Sequence, residues 1–103
     1  MSVIMTLRVS GDPAKLEQLA AQNPDAIQGI SARAKEQGLI AHRFYGSDNE
    51  IMVVDEWPDE QSFQRFFESE QAEIGPMMEQ VATGDPTITF WRKLDTKDEV
   101  GWD

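Results

Sequence analysis

Residues 39–57 read LIAHRFYGSDNEIMVVDEW, and this stretch decides how the chain folds. Both ends are dense in β-branched and aromatic residues, while Gly46-Ser47-Asp48-Asn49 between them is a run of turn formers. The pattern predicts a strand from Leu39 to Tyr45, a tight turn, and a strand from Ile51 to Trp57 that Pro58 ends. Two strands joined by so short a connection are antiparallel neighbours. In the second of them Ile51, Val53, Asp55 and Trp57 share one side, and Met52 and Val54 share the other. Both faces are therefore apolar.

Working outward, Val3 to Val9 alternates at the period of a strand. Gly11-Asp12-Pro13 then starts a helix, since Asp12 can cap free N–H groups and Pro13 needs no partner in the first turn. Asn23-Pro24-Asp25 repeats that signal, so two helical segments are expected, the second carrying Ile27, Ile30 and Ala34 and ending near Gly38. Beyond Pro58, Asp59-Glu60 suits a helix start, with Phe63, Phe66, Phe67 and Ile74 as the apolar face. Gly75-Pro76 is expected to interrupt this helix before Met77, Met78 and Val81 continue it. After Gly84-Asp85-Pro86, Thr87 to Leu94 reads as a last strand. The order is that of an α+β, ferredoxin-like β-α-β-β-α-β domain spanning residues 1–94, with a four-stranded antiparallel sheet and an acidic tail over 95–103. One layer of helices covers one sheet face. The other face, equally apolar, is expected to stack on a second copy, giving a homodimer.

Composition narrows the function. The 103 residues hold 9 Lys and Arg against 19 Asp and Glu, a formal charge of −10, which disfavours nucleic acid and anionic membranes as partners. There is no cysteine, hence no disulfide, thiol nucleophile or thiolate metal site. The start MSVIMTLRVSGD lacks the features of a signal peptide and no apolar run is long enough to span a bilayer, so a cytoplasmic location is expected. Gly-rich phosphate loops and nucleophile elbows are absent.

Ile51-Met52-Val53-Val54-Asp55-Glu56-Trp57, followed by Pro58-Asp59-Glu60-Gln61-Ser62-Phe63 and Phe66-Phe67-Glu68-Ser69, resembles the dimeric α/β-barrel superfamily and, within it, the small antibiotic-biosynthesis-monooxygenase-like proteins. In element order the resemblance covers residues 3–94. It implies two sheets stacked in a dimeric α/β barrel, and monooxygenase-like activity without metal or cofactor on an apolar aromatic substrate. Haem-degrading relatives carry a His on the helix after the Trp strand, whereas Phe63 to Ser69 holds none. Quinol-oxidising relatives place Asn, Trp and Tyr around the pocket, and no role is carried over from them.

The candidate catalytic residues are His42 and Asp55. His42 shares a strand face with Ile40 and Phe44; it is either a general base in a closed pocket or a hydrogen-bonded structural residue. Asp55 is either an inward carboxylate able to act as a base, or a residue on a solvated edge or in a salt bridge to Arg43 or Arg92. Candidate substrate contacts are Tyr45, Trp57, Phe63, Phe67 and Met78, whose alternative readings are a rim residue for Tyr45 and plain core for the rest. No ligand spacing for a metal exists, with only one His in the chain. The competing function is a ligand-binding or protein-interaction module without catalysis.

Overall fold

The computed structural model describes residues 1–102. Its elements are β1 (Val3–Ser10), α1 (Pro13–Gln22), α2 (Pro24–Glu36), β2 (Ala41–Gly46), β3 (Glu50–Trp57), α3 (Glu60–Ser69), α4 (Gln71–Val81) and β4 (Thr87–Trp91). The strands form one antiparallel sheet in the order β2-β3-β1-β4, the ferredoxin-like arrangement.

Sequence chemistry explains most boundaries. Asp12 accepts from the Ala14 N–H at 3.0 Å with Pro13 in the first turn of α1; Pro24 likewise opens α2, but the expected Asn23 cap is not made, since its side-chain amide donates back to the Leu19 carbonyl of α1 at 3.1 Å. Gly38 takes φ 117°, a left-handed conformation that closes α2 at little steric cost. Asp59 accepts from the Ser62 N–H at 2.7 Å and caps α3.

Three expectations need correction. The second strand begins at Ala41 rather than Leu39, because the Leu39 N–H is still committed to the Ala34 carbonyl behind the end of α2. The last strand stops at Trp91, so residues 92–94 leave the sheet. The break in the second helical region falls at Glu70, not at Gly75-Pro76. The Glu70 N–H closes α3 on the Phe66 carbonyl, and its own carbonyl accepts from Glu73 and Ile74 to open α4. Pro76 lies inside α4, which continues past the bond that a proline cannot donate.

Register sorts the side chains. Met5, Leu7 and Val9 of β1 stand opposite Asp55, Val53 and Ile51 of β3 on the helix-covered face, joined by His42 and Phe44 of β2 and by Ile88 and Phe90 of β4. Trp57, Met5 and Ile51 are the most deeply buried of the large side chains. Trp57 packs on Phe63 and Phe66 at ring separations of 5.9 and 5.5 Å, which fastens α3 to β3. The opposite face carries Ile4, Thr6, Tyr45, Met52, Val54, Thr89 and Trp91 together with the charged Arg8, Arg43, Glu50 and Glu56, and no helix among the described residues covers it.

Candidate functional site

A cavity of about 260 Å³ lies between the covered sheet face and the helices. Met5, Leu7 and Val53 form its floor, and α2 contributes Ile27, Ile30 and Ala34. From α3 and α4 come Phe63, Phe66, Phe67, Ile74, Met77 and Met78. The lining is predominantly apolar, with few polar groups among it. Those groups are His42, Asp55, Ser31 and Gln71.

His42 and Asp55 are direct register partners on β2 and β3. Their side chains therefore meet on the cavity side, with His42 Nδ1 2.6 Å from Asp55 Oδ1. The Asp55 side chain is 7% exposed and that of His42 27%, so the carboxylate is sealed and the imidazole reaches the opening. The second carboxylate oxygen is also occupied, because the Trp57 indole N–H donates to Asp55 Oδ2 at 3.1 Å. Asp55 accepts on both oxygens, and an accepting carboxylate requires Nδ1 to carry the imidazole proton. In the neutral imidazole the lone pair is then on Nε2. Phe44 touches the imidazole edge-on at 5.0 Å. An imidazole backed by a carboxylate in this way can act as a base, and here it stands at the wall of a largely apolar pocket.

The helices over the cavity are tied across the top by one ionic cluster. Arg33 of α2 donates from Nε to Glu70 at 2.9 Å and from Nη2 to Glu73 at 3.3 Å. The hydrogen bond to Glu70 is the main reason the Arg33 guanidinium is held above its ordinary pKa, partial desolvation opposing it. Glu70, at the α3–α4 junction, is buried.

Of the residues singled out from sequence, His42, Asp55, Phe63, Phe67 and Met78 all line this cavity. Asp55 pairs with neither Arg43 nor Arg92 but with His42. Tyr45 lies elsewhere: it stands opposite Met52 on the uncovered face, where its hydroxyl accepts from Arg43 at 3.3 Å. Trp57 is fully buried and does not line the cavity, since its ring sits behind Asp55 against α3. Ser31 and Gln71 were not anticipated. Nothing in their local sequence marks them, whereas the Asp55–Trp57 bond had a signal in the two-residue spacing on one strand face. No group of His, Asp and Glu able to hold a metal occurs among the described residues.

No family model matches the chain, and no curated protein matches it in sequence. Solved structures do match. A monooxygenase from the ActVA-Orf6 gene of Streptomyces coelicolor, in complex with nanaomycin D, is 16% identical with a TM-score of 0.71, over 92% of this chain and 89% of that one. SnoaB, a cofactor-independent oxygenase from Streptomyces nogalater, is 16% identical with a TM-score of 0.60, over 95% of this chain and 97% of its own. A dimeric ferredoxin-like protein from an uncultured marine organism is 14% identical with a TM-score of 0.65, over 91% of this chain and 89% of that one. The chain has the ferredoxin-like α+β fold of the antibiotic-biosynthesis-monooxygenase-like structures.

Proposed function

We propose that the protein oxygenates a hydroxylated, largely apolar aromatic ring without a cofactor, with His42 as the general base. The observation that carries this reading is the 2.6 Å contact between His42 and a buried Asp55 at the wall of an apolar cavity. The likeness in fold to a cofactor-independent oxygenase supports it. His42 Nε2 takes the proton from the ring hydroxyl, and the Asp55 carboxylate stabilises the imidazolium that results. The phenolate pushes electron density into the ring, where dioxygen forms a carbon–oxygen bond. Loss of water from the hydroperoxide leaves a carbonyl. One oxygen atom enters the product, and the other leaves as water with the two hydrogens given up by the substrate. Phe63, Phe67 and Met78 hold the ring and exclude solvent, which protects the anion from reprotonation.

The same reading includes a homodimer. The uncovered sheet face presents Trp91 and Tyr45 at 54% and 46% exposure around Met52, Val54 and Ile4, an apolar patch flanked by Arg8, Arg43 and Glu56 and suited to a second copy of itself. The dimeric state of a protein with this fold supports that arrangement.

The test is oxygen consumption by the purified protein with a panel of naphthols and quinols, with quinone product measured alongside. Uptake in the intact protein, lowered about 100-fold or more in His42→Ala, is expected for loss of a general base. Tight binding of the panel with no uptake would make the cavity a ligand-holding module instead.

A further inference from the structure

We propose that Trp57 is a positioning residue, whose indole N–H fixes the Asp55 carboxylate so that His42 presents Nε2, and not Nδ1, as its basic nitrogen. This rests on the reading of His42 as the base.

A buried tryptophan needs some partner for its N–H, and a backbone carbonyl would serve. Here the partner is Oδ2 of the one carboxylate that faces the cavity. Trp57 and Asp55 are two residues apart on the same face of β3, so strand geometry alone brings the indole alongside the carboxylate. The rest of Asp55's surroundings cannot replace it. Its register partner on β1 is Met5, its same-face neighbour on the other side is Val53, and α3 supplies Phe63 and Phe66 against the indole. Only Trp57 and His42 donate side-chain hydrogen bonds to Asp55 among the described residues. Each takes a different oxygen. With Oδ2 held by an immovable ring, Oδ1 is left pointing across the ladder at His42. Without the indole, Asp55 is free to turn about its terminal torsion, a soft one, and the imidazole loses the constraint on its tautomer. Trp57 itself does not line this cavity, so its effect on chemistry there passes through Asp55.

The experiment is ¹⁵N NMR of the His42 imidazole in ligand-free protein. His42 is the only histidine in the chain, so its two ring nitrogens are assigned without ambiguity. The intact protein is expected to show Nδ1 protonated and Nε2 unprotonated. Asp55→Asn, whose amide can donate to Nδ1, supplies the spectrum of the opposite tautomer. In Trp57→Phe the ratio of the Nδ1–H to the Nε2–H form is expected to fall by about tenfold, the scale of one charge-assisted hydrogen bond. An unchanged ratio would reduce Trp57 to core filler and overturn the proposal. Should Trp57→Phe fail to fold, benzothienylalanine at position 57 retains the bicyclic shape and removes only the N–H, and the same two outcomes decide. The measurement needs no turnover, so its result stands apart from whether the protein consumes oxygen.

Discussion

His42 would be unremarkable in most strands, since a single histidine on an edge has no fixed partner. Its chemistry comes from the residue directly across the ladder, and that pairing became visible only once the register of β2 on β3 was known. The sequence supplied both residues on apolar faces but left the choice between them open. Geometry separates their roles, because both Asp55 oxygens already accept hydrogen bonds and only the imidazole has a nitrogen to spare. Ser31 tests the cavity itself. It lines the cavity from α2 and is only partly buried, so Ser31→Phe should place a ring in the space without displacing the core. Affinity for a naphthol, measured by calorimetry, is expected to drop more than about tenfold, as loss of roughly 1.4 kcal/mol or more implies, while the thermal midpoint changes little. Retained affinity would place the binding site elsewhere.

Among the elements, strands and the Asp12 cap were legible because their signals are local: alternation at period two, and Asp before Pro; Asn23 carries the same signal, yet its side chain makes no cap bond. The split between α3 and α4 was not. Gly75-Pro76 is the stronger breaker in isolation, yet the chain breaks at Glu70, where a carboxylate leaves the helix line to meet Arg33, 37 residues away in sequence. The break coincides with a tertiary ion pair, which no window along the sequence contains. The cap of α3 gives a prediction about pH. Acceptance of the Ser62 N–H is the main cause lowering the Asp59 pKa below its ordinary 3.8. A folded-state value below the unfolded one means that the stabilisation is complete above the unfolded value and disappears as pH falls through the folded one. Asp59→Ala should therefore melt below the parent protein at neutral pH, and the difference should shrink in acid. Melting curves in which the gap stays constant down to full protonation of Asp59 would contradict this.

At the level of the whole molecule, the two-faced apolar sheet was readable from Met52 and Val54 alternating with Ile51 and Val53, but the cavity was not. Phe63, Phe67 and Met78 read equally well as packed core, because periodicity reports which residues face inward and says nothing of whether the interior is filled. The uncovered face predicts a dimer whose centre is Val54. Val54→Asp places a charge there without touching the helix-covered core, and sedimentation at micromolar concentration should show a folded monomer where the parent protein sediments as a dimer. A monomeric parent would remove the need for a second copy. The proposed chemistry requires, however, a proton passing to His42 from a ring held in the cavity. The direct measurement is the absorption spectrum of a bound hydroxynaphthalene at a pH well below its own pKa in water. The bound ligand is expected to show the phenolate band in the intact protein and the neutral band in His42→Ala; a neutral spectrum in both, with binding intact, would contradict the central claim.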